Sequence, residues 1–141
     1  MSRINGGGVL TGGLLAGLVI NIIDFIVNVP VLGGQWDAST SALGVDAQKV
    51  SVSAPVGWIA SDFLIGLVVV WLYAGIRPRF GPGPRTAVIA GLAVWFTTHV
   101  AYFSLVFMGL YPMGLVVAST VGALVATLAG SQAGCWLYKE A

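Results

Sequence analysis

Charged side chains are scarce in this sequence. Lysine, arginine, aspartate and glutamate make up 8% of its 141 residues, whereas soluble domains carry roughly 25%. Apolar residues reach 57%, and the mean hydropathy is +0.95. This balance excludes an ordinary water-soluble domain and is typical of an integral membrane protein.

Cysteine and histidine are almost missing as well. The lone Cys135 excludes an intrachain disulfide and a two-cysteine redox cycle, and we interpret it as a small core residue. The net charge of +1 favours no nucleic-acid partner. No nucleophile and base pair and no metal motif stands at a meaningful spacing. The sequence therefore favours an enzyme least and indicates no cofactor.

Four apolar stretches are long enough to cross about 30 Å of hydrocarbon as helices. They cover residues 9–32, 56–76, 86–110 and 112–138. No separate soluble domain fits beside them, so the sequence predicts an all-α integral membrane four-helix bundle, one transmembrane domain over residues 1–141. Residues 33–55 are predicted to form an outer loop, in which the apolar spacing favours a short surface helix over 39–50.

The basic residues indicate how the bundle is oriented. All but Lys49 lie at one set of predicted span ends: Arg3, Arg77, Arg79, Arg85 and Lys139. The positive-inside bias therefore predicts that both termini are cytoplasmic. Three prolines and two glycines predict a non-helical turn over 77–85, which is either a stop-transfer hinge or a contact for anionic lipid or a partner. Trp36 and Trp58 are interpreted as interfacial anchors on the other side.

The first span carries an acid. Asp24 shares an arc of about 80° with Asn21, Asn28 and the glycines of that helix face. Because an acid in hydrocarbon costs on the order of 3 kcal/mol, we expect this face to point into protein. The second span holds Asp62 on a face with small and aromatic residues, and the third span holds the only histidine, His99.

The predicted depths bring these polar groups to one half of the membrane. Counting 1.5 Å per residue from the outer ends puts Asp62 about 9 Å, Asp24 about 12 Å and His99 about 16 Å deep. With Asn21 and Asn28, they are expected to line a cavity that opens outward and binds or conducts a proton, a cation or a small polar solute. The acids and the imidazole also suit a transition metal, without a spacing motif for one. A purely structural role in fixing helix register stays open.

Two patterns concern how the helices pack. Small residues recur every fourth position in the fourth span, from Gly114 to Gly134, which predicts a packing spine against the first or second span. The segment 15–18 is similar to 89–92, and Trp-Leu-Tyr occurs at both 71–73 and 136–138. These similarities are explained either by two tandem helical hairpins or by chance.

The layout of the chain resembles a known group of proteins. A Gly-Gly-Gln-Trp stretch at 33–36 after the first span, Leu43-Gly44 in the loop and Gly-Leu-Ala-Val-Trp at 91–95 carry the resemblance. The chain resembles small four-helix bacterial membrane proteins that are catalogued as domains of unknown function. This implies a location in the cell inner membrane and no particular activity. The alternative function is a structural or accessory subunit, with a homo-oligomer or a larger membrane complex as partners besides the lipid bilayer.

Overall fold

Four long helices form the framework of the chain in a computed structural model. The structure describes residues 4–45 and 47–140, and the side chains of residues 4–45 and 54–140. Within these ranges the chain is all-helical and contains no strand. Four helices are long and apolar enough to cross a membrane: Gly6–Val31, Ala54–Phe80, Pro84–Phe107 and Met113–Leu137. The all-α prediction is confirmed, and the four apolar helices match the predicted spans in number.

The helical elements follow one another with short connections. They are α1 (Gly6–Ile26), a π-helical turn (Val27–Val31), α2 (Gly33–Ala42), α3 (Ala47–Phe80), α4 (Pro84–Tyr102), α5 (Ser104–Phe107) and α6 (Met113–Leu137). Pro30 lies inside the π-helical turn, where its missing N–H removes one regular backbone hydrogen bond.

Helix α1 begins at Gly6, before the predicted boundary at residue 9, because Asn5 caps it. The Asn5 Oδ1 accepts a hydrogen bond from the Gly8 N–H at 3.1 Å. The Asn5 N–H donates to the Tyr138 hydroxyl (3.1 Å), and its Nδ2 donates to the Lys139 carbonyl (3.0 Å). Both ends of the described chain therefore meet, and we call this side of the bundle the termini end. The opposite side, where α2 lies, is the loop end.

The turn between α3 and α4 is shorter than predicted. The segment 77–85 was expected to be non-helical throughout, but α3 continues to Phe80 with Pro78 inside it, and α4 starts at Pro84. Pro78 lacks the N–H that would bond the carbonyl of Ala74, so the last turn of α3 has one regular hydrogen bond fewer. Gly81 then takes φ +82°, and its N–H donates to the Arg77 carbonyl at 2.8 Å. The left-handed glycine therefore ends α3 and leaves only residues 81–83 as the turn.

The connection at the loop end is largely helical. Instead of an open loop over 33–55 with a helix at 39–50, the chain forms α2 at Gly33–Ala42 and then enters α3 at Ala47. Gly44, at φ +71°, lies just after α2 and ends it. The expected helix therefore lies earlier in the chain than its apolar spacing indicated.

Glycines allow the helices to approach one another closely. Helix α1 packs against α3 and α6, and α4 packs against the same two helices. A Cβ on Gly66 of α3 would collide with the backbone of Gly13 and Gly17 in α1. On α6, a Cβ on Gly130 or Gly134 would meet the α1 backbone within 2.8 Å. The predicted contact of the fourth span with the first is confirmed for these two glycines, whereas Gly114 faces open space.

The largest cluster of buried apolar residues extends toward the termini end. It contains Ala16, Val69, Val70, Tyr73, Ala74, Ala87, Ala90, Val94, Cys135 and Tyr138. The rings of Tyr73 and Tyr138 meet edge to face with centroids 6.0 Å apart. The Arg77 guanidinium lies 6.0 and 5.8 Å from the same two ring centroids, close enough for cation–π attraction. Cys135 is buried in this cluster, as its interpretation as a small core residue predicted.

Candidate functional site

The register between α1 and α3 determines where the acids lie. Gly13 lies against Leu67, and Gly17 lies against Phe63. One turn further along α1, the Asn21 Nδ2 donates to the Ile59 carbonyl at 3.3 Å. Each turn along α1 therefore matches one turn back along α3, as in an antiparallel pair.

This register reverses the predicted depths of the two acids. Extended by one turn, it sets Asp24 level with Val56, six residues before Asp62. Asp62 therefore lies about 9 Å further from the loop end than Asp24. Counting from predicted span ends gave the opposite order because α3 starts well before its predicted first residue. Asp62 is only 7% exposed, so this acid is buried within the bundle.

Asp24 has an unsatisfied carboxyl oxygen in the described part of the chain. Its Oδ1 atom is buried and has no hydrogen-bond partner among the described residues. Its main-chain carbonyl accepts a bond from the Asn28 Nδ2 at 3.1 Å. Within the described ranges, the only ion pair joins Arg77 to Glu140 at the termini end (3.7 Å). Neither Asp24 nor Asp62 therefore has a basic partner among the described residues.

Asn28 connects three helical elements at the loop end. Its Oδ1 accepts hydrogen bonds from the Trp36 indole at 3.1 Å and from the Ser119 hydroxyl at 3.2 Å. Trp36 belongs to α2 and Ser119 to α6, and both meet at the π-helical turn that contains Asn28. The extra residue per turn of a π-helix changes the direction of the side chains that follow. Asn28 therefore holds α2 and α6 next to Asp24.

Two tyrosines complete this polar region. Tyr102 lies at the end of α4, where its ring meets the His99 ring edge to face with centroids 5.8 Å apart. Tyr111 packs edge to face on Trp36, with ring centroids 5.3 Å apart. Sequence reasoning did not include Tyr111 and treated Trp36 only as an interfacial anchor. Their roles depend on α2 folding back over the bundle, which no periodicity in the sequence indicates.

His99 lies at the edge of this polar region. Its Nδ1 is 3.0 Å from the Trp95 carbonyl and 3.1 Å from the Thr98 hydroxyl, both on its own helix. Its ring stacks on Trp95 at 5.7 Å and meets Tyr102 edge to face at 5.8 Å. The histidine is half-buried, and all of these contacts are with residues of its own helix.

Neither of two grooves on the described surface is lined by the predicted site residues. One, of about 570 Å³, lies between α4 and α6 near the termini end. The other, of about 550 Å³, lies between α2 and residues 109–112. Convergence of Asp24, Asp62 and His99 on one outward-opening cavity thus stays a prediction. The structure instead brings Asn28 to the Asp24 main chain and ties Asn21 to α3, while the described contacts of His99 stay within α4.

The donor set does not favour a metal ion. In the part of the chain that the structure describes, no three His, Cys, Asp or Glu side chains lie close enough to hold one. Comparisons with protein-family models, with curated proteins and with solved structures give no match. The resemblance to small four-helix bacterial membrane proteins accordingly stays a prediction.

Proposed function

We propose that the chain is a multi-pass protein of the bacterial inner membrane with both termini cytoplasmic. The four apolar helices support the first part of this proposal. The described basic residues support the second, since they lie at helix ends on the side of the termini: Arg77 and Arg79 in the last turn of α3, Arg85 in the first turn of α4, and Lys139 after α6. Arg3 lies outside the described residues, and Lys49 lies outside the described side chains.

The two-hairpin organisation belongs to the same proposal. Tyr73 and Tyr138 occupy equivalent places near the ends of α3 and α6. The Tyr138 hydroxyl accepts a hydrogen bond from the N–H of Asn5, which precedes α1. The Tyr73 hydroxyl accepts one from the N–H of Gly83, which precedes α4 (3.1 Å). Each hairpin therefore ends on a tyrosine that binds the start of an ascending helix, as an internal repeat predicts.

Within this bundle, Asp24 and Asp62 bind or conduct a proton or a small cation. The buried Asp24 Oδ1 without a partner in the described part of the chain is the observation that carries this function. An ionised carboxylate in a low-dielectric interior needs a counter-charge or hydrogen-bond donors. Since no basic side chain of the described ranges pairs with either acid, a proton or a bound cation would supply what Asp24 lacks.

A structural role is the second candidate, and the asparagines favour it. Asn21 bonds the α3 backbone, and Asn28 bonds α2 and α6. Interhelical bonds of this kind fix register and are worth about 1 kcal/mol each in membranes. In this alternative the acids belong to the same set of packing contacts, and the protein is an accessory subunit that co-purifies with a larger complex.

Replacement of the acid distinguishes the two candidates. Purified protein in liposomes with a pH-sensitive dye inside should pass protons down an imposed pH gradient, and Asp24→Asn should abolish this flux. A cation held at a hundred times its dissociation constant should also stabilise the wild type by about 2.7 kcal/mol. Asp37→Asn, at an exposed acid of α2, is the matched control and should behave as the wild type. Equal flux and equal cation stabilisation in wild type and Asp24→Asn would leave the structural role.

Orientation is tested by labelling in intact cells. In a Cys135→Ser background, a cysteine at position 49 should react with a membrane-impermeant maleimide, whereas one at position 79 should react only after the cells are opened. The expectation follows from the asymmetry of basic residues. Equal labelling at both positions in intact cells would contradict a single orientation.

A further inference from the structure

An apolar groove with one charged end lies on the outer surface of the bundle. It runs between α4 and α6 and has a volume of about 570 Å³, within the range of about 300–1,000 Å³ that is usual for small-molecule sites. Its apolar wall includes Val88, Val125, Leu128 and Ala129. Along α6 the groove covers two helical turns, about 10 Å.

The polar residues of the groove lie at its end nearest the termini. Arg85 and Gln132 belong to the wall there. The Gln132 Nε2 donates to the Pro84 carbonyl at 3.2 Å, which ties α6 to the start of α4. Arg85 is exposed and makes no ion pair within the described residues. The groove wall is therefore almost entirely apolar, and Arg85 adds a positive charge at the end nearest the termini.

We propose that this groove binds one anionic phospholipid, with an acyl chain along the apolar wall and the phosphate on the Arg85 guanidinium. An inorganic anion would leave the apolar wall without a partner, and a neutral lipid would leave Arg85 without a counter-charge. This end of the described chain carries an excess of positive charge, because a single acid, Glu140, accompanies four basic residues: Arg77, Arg79, Arg85 and Lys139. This charge is complementary to an anionic headgroup. The inference depends on the proposed membrane insertion and not on the proposed role of Asp24.

Lipid titration of the detergent-purified chain, followed by native mass spectrometry, tests the site. Phosphatidylglycerol and phosphatidylcholine with identical acyl chains serve as probes. One basic residue near a headgroup corresponds to about fivefold in affinity. We expect the first phosphatidylglycerol to bind the wild type about fivefold more tightly than phosphatidylcholine. Arg85→Gln should remove this preference and leave phosphatidylcholine binding unchanged.

Two further variants separate a specific groove from general surface charge. Arg79→Gln removes an exposed arginine of the same region that does not line the groove, and it should keep the preference. Ala129→Phe fills the groove without changing the charge, and it should weaken the binding of both lipids. A tenfold excess of inorganic phosphate over lipid should not displace phosphatidylglycerol.

Several outcomes would overturn the proposal. One is that Arg85→Gln keeps the preference for phosphatidylglycerol, and another is that Arg79→Gln loses this preference as fully as Arg85→Gln does. The others are that Ala129→Phe does not weaken lipid binding, or that inorganic phosphate displaces phosphatidylglycerol completely. Asp24→Asn should retain the lipid preference, so failure of the acid site and failure of the lipid site are distinguishable. Melting profiles in phosphatidylcholine should match for all variants, which shows that each one is folded.

Discussion

The two halves of α1 contact their neighbours in different ways. From Gly12 to Gly17 the helix touches α3 and α6 through backbone and small side chains, with no space for an added Cβ. From Asn21 through the following π-helical turn to Asn28, amide groups hydrogen-bond to α3 and α6, and one carboxyl oxygen of Asp24 has no partner in the described part of the chain. The difference shows that the tight half fixes the register, and that the register positions the polar half.

The largest effect is expected where the tight half is forced apart. In Gly66→Ala the new Cβ would collide with main-chain atoms of Gly13 and Gly17, which cannot move without shifting α1. We expect a loss of about 3 kcal/mol in the free energy of unfolding in detergent, at the upper end of ordinary overpacking costs. Thermal or denaturant unfolding followed by circular dichroism measures it.

The matched control lies on the same helix. Gly75 has nothing within 4 Å of an added Cβ, so Gly75→Ala should stabilise the protein slightly through better helix propensity. If both substitutions cost the same, close approach of α1 and α3 does not hold the bundle together, and the comparison between the two halves fails.

A smaller effect is expected in the polar half. Asn28→Ala removes the acceptor shared by Trp36 and Ser119 and leaves two donors without a partner. The expected cost is about 2 kcal/mol, since each buried unsatisfied group costs about 1–3 kcal/mol and α2 has room to move away. Ser119→Ala should cost less, because the Trp36 bond survives. Unfolding in detergent, followed by circular dichroism, measures both changes. A larger loss in the free energy of unfolding for Ser119→Ala than for Asn28→Ala would contradict the central role of Asn28.

The smallest effects compare the two hairpins. Tyr73→Phe and Tyr138→Phe each remove one hydroxyl that accepts a backbone N–H. Each should lower the free energy of unfolding by about 1 kcal/mol, because the rings stay packed. The two values should agree within a few tenths of a kcal/mol if the hairpins are equivalent. A marked inequality would favour chance as the explanation of the repeated Trp-Leu-Tyr.

The sequence predicted the apolar helices well and their connections poorly. Hydropathy alone marks a stretch that can cross a membrane, so all four long helices were found. Helix ends depend on single local interactions that hydropathy does not show. Asn5 caps α1, Gly81 ends α3, and Gly44 ends α2. The glycines that separate α2 and α4 from their neighbours were visible in the sequence, but their backbone conformations were not.

For the candidate site, the sequence indicated polar residues but not their geometry. Helical periodicity grouped Asn21, Asp24 and Asn28 on one face of the first span, and in the structure both asparagines bond to other helices. The relative depth of Asp62 depends on how α3 slides against α1, and that is decided by the close approach of Gly66 to the α1 backbone, which the sequence does not show. The contribution of Trp36 depends on the π-helical turn, because Asn28, which accepts the indole hydrogen bond, lies in it.

The hydrogen bond from Asn5 to the Lys139 carbonyl, at 3.0 Å, makes the described chain almost a closed ring. A short linker between these ends, with a cut at residues 81–83, would give a circular permutant in which the second hairpin is synthesised before the first. The new ends would emerge on the same face as the old ones, so no helix would have to reverse its direction. A permutant that folds would show that chain order and spatial arrangement are separable in this bundle.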